Sequence, residues 1–370
     1  MPDEQPTPLI AENPEDEEER MPVIMVPERP DRYNRSTPTK IKEILSLPSL
    51  TEQINAFMKL RNCFGPESDS PTYPVLQQYM NNTLSLEAAI DQIAEPIEDL
   101  WLTGDHCERE PDENEDQHSA GVGNSAVSTL MDLWYGVMHM AKLTPWTDEA
   151  AQNKLVTLIT TFSKRPAPIR TPEQEAIVQQ KNPRYWTDDG GDMWHERPWY
   201  GLCAAEVRND APGCGSGLQY PEGIAWANLK GYQLRLALAG DLTVKWGQEL
   251  DALHNLEHKH DPDYLDANMP AIAVSILLCG QQIYDREYVI LPREPHTWYY
   301  KDPNALWVDK PRGSSSHSKA KWAFWKRRLA EIAADQRMSV EAAVYAGCCV
   351  EFMDRIEEGA ARREAEREGI

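Results

Sequence analysis

The sequence predicts an all-α protein: a single multi-helix bundle with long aromatic-rich loops and a disordered acidic N-terminal tail. Apolar residues recur almost throughout at a spacing of about 3.6, the period of a helix. No run of alternating, β-branched residues is convincing as a strand, and the 41% hydrophobic content can fill a sizeable core. We therefore divide the chain into a tail (1–38), a helical domain (39–358) and a charged C-terminal tail (359–370).

The helices of the N-terminal half are predicted from their caps and apolar stripes. Ser85 is the predicted N-cap of a helix that Pro96 should kink or split. Apolar residues within 130–141, spaced at i, i+3, i+4, i+7, i+8 and i+11, predict the next helix. Thr147 is the predicted N-cap of the one that follows, and the short loop around Pro145 indicates an antiparallel hairpin.

The C-terminal half is also predicted to be helical. Its predicted helices are 222–239 with Gly240 as the C-terminal cap, 242–257, 271–279, 322–333 and a last helix after Ser339. Residues 271–279 are apolar on every side except Ser275, so this helix should lie at the centre of the bundle. Along the last two helices we expect Lys321, Arg327 and Arg328 to point away from the core and Cys348 to share its buried face.

Charge and cysteine usage restrict the partners and the compartment. A formal charge of −23 opposes binding to nucleic acid, because phosphate recognition needs clustered Lys and Arg. No apolar run approaches the roughly 20 residues that a membrane span requires, and the acidic, proline-rich start does not resemble a secretory signal. Seven cysteines without a Cys-x-x-Cys pair predict reduced thiols, and therefore a cytoplasmic or a nuclear protein.

One short motif matches a metal site. His254, Glu257 and His258 fit the His-x-x-Glu-His pattern of inverted zinc peptidases, in which two histidines one helical turn apart bind zinc. The charged and proline-containing residues that follow at once indicate a helix end in solvent, where histidine near the last carbonyls is favoured anyway. We therefore predict no metal and no cofactor, and keep His254 and His258 as the alternative.

The loops contain an unusual number of aromatic residues, including Trp186, Trp194, Trp298, Tyr299 and Trp307. Because tryptophan is costly to leave in water, these loops should fold onto the helices. The simpler interpretation, which we prefer, is a lid that completes the core. The functional interpretation is an aromatic-walled pocket for a small organic ligand, since pockets form between the helices of bundles. The residues predicted to bind that ligand are Trp199, Arg208, Trp226 and Asn228.

Six segments of the chain resemble a fungal family known as domain-of-unknown-function family 3632. They are Tyr73–Leu76 with Leu84–Ala88, Leu133–Leu158, Trp199–Gly201 with Val207–Asp210, Trp226–Leu229, Leu265–Ala273 and Lys321–Lys326. The resemblance implies an all-helical intracellular protein and supplies no activity or catalytic residue. The chain departs from the family pattern in the histidine-rich stretch 254–260 and in an insertion around 286–310.

No catalytic motif emerges, so we expect a soluble helical binding module whose partner is a protein or a small hydrophobic ligand. The alternative is an enzyme or accessory factor that acts on a hydrophobic small molecule. For that alternative, the source of the resembling family suggests fungal secondary metabolism. The sequence leaves open whether any reaction is catalysed.

Overall fold

The computed structural model describes residues 38–103, 125–181, 193–240, 251–286, 288–290, 306–307 and 315–368. Thirteen α-helices lie within these residues, which confirms the all-α class. They are α1 (Pro38–Leu45), α2 (Leu50–Arg61), α3 (Tyr73–Met80), α4 (Leu86–Thr103), α5 (Ala126–Leu143), α6 (Glu149–Phe162), α7 (Pro172–Lys181), α8 (Tyr200–Val207), α9 (Tyr220–Leu238), α10 (Asp251–His254), α11 (Pro262–Asp285), α12 (Lys319–Ala334) and α13 (Val340–Glu368). The 3₁₀ turns Arg208–Asp210 and Asn255–Glu257 follow α8 and α10.

Some predictions fall outside the described residues. They concern the acidic tail up to residue 37, the first part of the helix predicted over 242–257, and the loop aromatics Trp186, Trp298 and Tyr299. The loop tryptophans that are described do fold onto the bundle. Trp194 is fully buried and stacks on Phe162 with ring centroids 4.9 Å apart.

Helices α9 and α11 form the centre of the bundle and pack closely against each other. Gly223 permits the approach, because a Cβ atom there would lie 2.4 Å from the Ala267 carbonyl oxygen. Helix α11 is buried from Ala267 to Ile276, so the predicted apolar segment is covered on every side up to Ile276, whereas Leu277 and Leu278 are partly buried. Helix α9 is buried from Pro221 to Leu234 although several of its residues are charged or polar. These polar residues therefore need partners inside the bundle.

Helix α13 runs beside α11 in the same direction. At the beginning of both helices, the Ser339 backbone N–H donates to the Asp266 carboxylate at 3.0 Å. Further along, a Cβ atom on Gly280 would lie 3.0 Å from Ile356 Cδ1. The first turns of α11 and α13 therefore lie at the same end of the bundle.

Helix α12 runs in the opposite direction. The Lys319 ammonium, in its first turn, donates to the Tyr284 carbonyl at the end of α11. The Trp322 indole N–H donates to Glu357, late in α13, at 2.8 Å. The end of α12 consequently meets the beginnings of α11 and α13, and we call this end of the bundle the pole.

Two short strands precede α12 and were not predicted. Tyr288–Ile290 (β1) pairs antiparallel with Ser315–His317 (β2), and Val289 lies opposite Ser316. Three residues are too few to show an alternating pattern in the sequence.

Two side-chain predictions for the last two helices are wrong. Lys321 does not point away from the core: it is fully buried, and its Nζ lies 3.1 Å from the Glu257 carboxylate. Arg328 does point away from the core, and it lines a partly open cavity at the pole. Cys348 is exposed, because the partners of α13 cover only the face that contains its neighbour Cys349.

Several predicted helix boundaries also differ from the structure. Helix α4 continues unbroken through Pro96, and the N-cap of α6 is Asp148, whose carboxylate accepts the Ala151 N–H at 3.0 Å, instead of Thr147. Helix α13 does not end near residue 358 but continues to Glu368 with mostly exposed side chains. The three-part division of the chain stays a prediction.

Candidate functional site at the pole of the bundle

Trp199 and Arg208, two of the predicted ligand-binding residues, lie at opposite ends of α8. Trp199 is the N-cap, half-buried and in the left-handed conformation with a φ of 68°. Arg208 follows the last turn and pairs with Asp251 at 3.5 Å. Eight residues of helix separate them by about 12 Å. The two side chains therefore do not converge.

Trp226 and Asn228, the other two predicted residues, are buried in α9. Both polar atoms of the Asn228 side chain bond to backbone groups: its amide donates to the Lys142 carbonyl and its oxygen accepts the Trp146 N–H, both at 2.9 Å. Trp226 lines a cavity of about 10 Å³, room for about one water molecule. The four residues do not surround one pocket in the described structure.

The geometry assumed for the alternative zinc site is also wrong. The α-helix ends at His254, residues 255–257 form a 3₁₀ turn, and His258 is extended with φ −125° and ψ 158°. The two histidines therefore do not lie one turn apart on a single helical face. The Glu257 carboxylate, which would activate water in such a site, pairs with Lys321 and accepts the Trp325 indole N–H at 3.2 Å.

Two buried ion pairs, which the sequence analysis missed, lie beside the start of α9: one joins α5 to the 3₁₀ turn after α8, and the other joins α2 to α9. We call them the α9 junction. Lys142 Nζ lies 2.7 Å from Asp210, with both side chains at most 3% exposed. Arg61 Nε lies 2.8 Å from Glu222, whose carboxylate also accepts the backbone N–H of Gly217 at 2.8 Å. Buried charges are tolerated when they are paired and hydrogen-bonded in this way, so the junction is structural.

A larger cavity lies at the pole, and we call it the pole cavity. Its volume is about 90 Å³, and it is partly open to solvent. Leu265 on α11, Ile332 on α12 and Met338 before α13 supply apolar lining. Four charged residues also line it: Arg328, Glu331, Asp335 and Arg337. The cavity therefore combines an apolar wall with charges of both signs.

Arg328 carries a donor that protein atoms leave unused. Its guanidinium NH1 pairs with Glu331 at 2.9 Å. Its Nε–H is shielded from solvent and has no hydrogen-bond acceptor among the described residues. A buried donor without an acceptor costs about 1–3 kcal/mol. Because Arg328 also lines the pole cavity, its acceptor would be a water molecule or a ligand atom that reaches it from there.

Arg337 and Asp335 form a two-pronged ion pair on the same wall. Arg337 Nε lies 3.0 Å from one Asp335 oxygen and its NH2 lies 2.7 Å from the other. These hydrogen bonds from Arg337, with help from its backbone N–H, lower the pKa of the Asp335 carboxyl to about 2. The pole cavity therefore keeps an ionised carboxylate at any physiological pH.

Only weak signals in the sequence point to this cavity. Arg328 and Glu331 lie three residues apart, which a helix can pair on its surface, and Asp335 and Arg337 lie in a turn between two helices. Such pairs are usual at exposed positions and do not indicate a cavity by themselves. The cavity arises because the beginning of α11 covers the end of α12, and this contact joins residues that are distant in the sequence.

Comparison with known proteins identifies a family and no activity. One protein family, described as "Protein of unknown function (DUF3632)", matches residues 134–329, more than half of the chain. The match confirms the family predicted from the sequence and includes Arg328. No curated protein and no solved structure matches the chain. Within the described residues, no helix combines the length and the apolar composition needed to cross a bilayer.

Proposed function

Because the chain belongs to the family of proteins of unknown function DUF3632, whose description states no activity, we propose a function from its geometry: a binding module for a small ligand that bears an oxyanion. The ligand is a carboxylate or a phosphate, and it binds in the pole cavity. One of its oxygen atoms accepts the Arg328 Nε–H. The unused donor of Arg328 is the observation on which the proposal depends.

The size of the pole cavity limits the ligand. A cavity of about 150 Å³ binds benzene, which has six heavy atoms. By the same proportion, the 90 Å³ of the pole cavity enclose about four heavy atoms, and its opening to solvent leaves room for roughly one or two more. Acetate and inorganic phosphate are both within that range. The small hydrophobic ligand expected from the sequence stays a prediction, and a pure hydrocarbon would leave the Arg328 Nε–H without an acceptor.

Isothermal titration calorimetry tests the proposal directly. We would titrate the full chain with acetate and with inorganic phosphate at constant ionic strength, and expect saturable binding of at least one. At ten times its Kd, that ligand should raise the free energy of unfolding by about 1.4 kcal/mol.

A pair of variants assigns the binding to the cavity. Arg328→Met keeps much of the length of the side chain, removes the donor and should abolish the saturable heat. Arg362→Met, at an exposed position of α13, is the matched control and should bind like the wild type. If neither anion binds the wild type, or if Arg328→Met binds as tightly, the proposal is wrong.

We also propose that the protein works in the cytoplasm or the nucleus. Among the described residues, Cys203 and Cys349 are buried in the core as thiols that form no disulfide. Chains that work in oxidising compartments usually carry disulfides. Titration of the unfolded chain without reductant should find seven thiols, the number in the sequence. A count of five or fewer would contradict this location.

A further inference from the structure

The charges around the pole cavity balance each other. Arg328 and Arg337 contribute two positive charges, and Glu331 and Asp335 contribute two negative ones. Each arginine is already paired with one of the carboxylates, at 2.9 Å and 2.7 Å. A dianion in this cavity would meet two carboxylates at short range, and a simple cation would meet two guanidinium groups. A ligand that carries both charges avoids both repulsions.

The helix ends at the pole, like the side chains, place both signs of charge beside the cavity. Pro262 opens α11, a helix of 24 residues, and lines the cavity on one side. Asp335 is the C-cap of α12 and lines it on the other. The N-terminus of a helix favours negative charge and its C-terminus favours positive charge. The cavity therefore lies between one end that suits an anion and one that suits a cation.

The apolar lining adds a third requirement. Leu265, Ile332 and Met338 line the cavity between the charged residues, and Leu265 and Ile332 belong to the buried core. A small apolar substituent on the ligand would cover this lining and gain about 0.8 kcal/mol for each buried CH₂ group. The volume of about 90 Å³ leaves room for a methyl group and little more once two charged groups are in place.

We infer that the ligand of the pole cavity is a small zwitterionic amino acid with an apolar side chain, of the size of alanine. Its carboxylate accepts the Arg328 Nε–H on the side of α11. Its ammonium group lies between Glu331 and Asp335 at the end of α12. This inference rests on the proposed oxyanion site and specifies the class of its ligand.

Three small molecules distinguish binding of a zwitterion from binding of a carboxylate or an ammonium group alone. L-alanine carries both charges, propionate only the carboxylate, and ethylammonium only the cation. In isothermal titrations of the full chain, we expect L-alanine to bind at least tenfold more tightly than either of the others. Equal affinities for propionate and L-alanine would overturn this inference and leave the oxyanion site in place. If none of the three probes and neither acetate nor phosphate binds, both proposals are wrong.

Two variants locate the ammonium. Glu331→Gln should weaken binding of L-alanine at least tenfold and leave propionate unchanged or slightly tighter, because only the zwitterion uses that carboxylate. Glu358→Gln, on an exposed face of α13, is the control and should alter neither affinity. If Glu331→Gln binds L-alanine like the wild type, the assignment of the ammonium is wrong. A circular dichroism spectrum of each variant establishes that it is folded before titration.

Discussion

The α9 junction and the pole cavity are built from the same chemical parts and differ in how completely those parts are used. Each contains two pairs of a basic side chain and a carboxylate. In the junction, Lys142 and Asp210 are almost completely buried, and they also bond to the backbone of Phe64: Lys142 donates to its carbonyl and Asp210 accepts its N–H. At the pole, the Glu331 side chain is 53% exposed, and Arg328 keeps one unused donor.

The two regions also differ in the volume of the cavity beside each of them. About 10 Å³ remains beside the junction, enough for a single water molecule, whereas about 90 Å³ remains at the pole. Charges that are paired, buried and tightly packed hold helices together. Charges that line an open volume and retain a donor are available to a ligand. The number of charged residues alone would not have separated the two regions.

Removing a charge from the junction should have the largest effect on stability. Lys142→Met leaves the Asp210 carboxylate buried without its cation, which should lower the free energy of unfolding by about 3–5 kcal/mol. Urea unfolding followed by tryptophan fluorescence measures the loss. Lys164→Met, at an exposed position, is the matched control and should change stability by less than about 0.5 kcal/mol. A loss below about 1 kcal/mol in Lys142→Met would mean that the junction is not structural.

A glycine next to the second ion pair should show how tightly the junction is packed. In Gly217→Ala, the new Cβ atom would lie 2.1 Å from Arg61 Nη2 and 2.7 Å from Glu222 Oε2, so the pair has to shift. We expect a loss of about 1–3 kcal/mol in chemical unfolding.

A second glycine provides the contrast. Gly347 lies inside α13, and a Cβ atom there meets no other atom within 4 Å. Gly347→Ala should therefore stabilise the protein by about 0.5–1 kcal/mol, because alanine is the better helix former. Opposite signs for Gly217→Ala and Gly347→Ala support the tight packing at the junction. A neutral Gly217→Ala would contradict it.

Acid should weaken the surroundings of Lys142, where His139 lies, and the pole in different pH ranges. Burial, and next the Lys142 ammonium, lower the pKa of His139 from 6.5 to about 3. The folded protein therefore favours neutral His139. Its contribution to stability is complete above pH 6.5 and falls as the pH decreases towards 3. The Asp335 pair at the pole, with a carboxyl pKa of about 2, persists to lower pH.

The free energy of unfolding should be lower at pH 4.5 than at pH 7 by about 1–2 kcal/mol. The two pH units between 6.5 and 4.5 correspond to at most about 2.7 kcal/mol. The His139 ring is only half-buried, so solvent screening reduces this value. His139→Gln, which cannot titrate, should remove this part of the pH dependence in urea unfolding. Parallel pH profiles for the wild type and the variant would show that His139 does not limit stability in acid.

The parts of the fold that the sequence predicted depend on local patterns. Helix α5 is recognised from its apolar stripe, and Ser85 and Ser339 cap α4 and α13 as expected, since each hydroxyl accepts a backbone N–H three residues later. Helix α11 has no polar face, so its central position could also be predicted. In these cases, residues within about one turn of each other contain the information.

The parts that could not be predicted depend on contacts between distant residues. Arg61 and Glu222 are 161 positions apart, and nothing near either of them in the sequence indicates the other. The apolar stripe of α12 placed Lys321 on the outer face, but Glu257 covers that face in the structure. Arg328 gains its role only because α11 begins beside it.

The smallest expected effect on stability is that of a substitution at the pole. This substitution gives the clearest contrast with the α9 junction. Arg328→Met breaks a largely exposed pair that contributes at most about 1 kcal/mol, and it also removes the buried donor whose cost offsets that contribution. The free energy of unfolding without ligand should therefore fall by less than about 0.5 kcal/mol, while anion binding is lost. Urea unfolding with and without ligand measures both quantities on the same samples. A loss above about 2 kcal/mol would mean that Arg328 holds the pole together as Lys142 holds the junction, and its unused donor would no longer indicate a ligand.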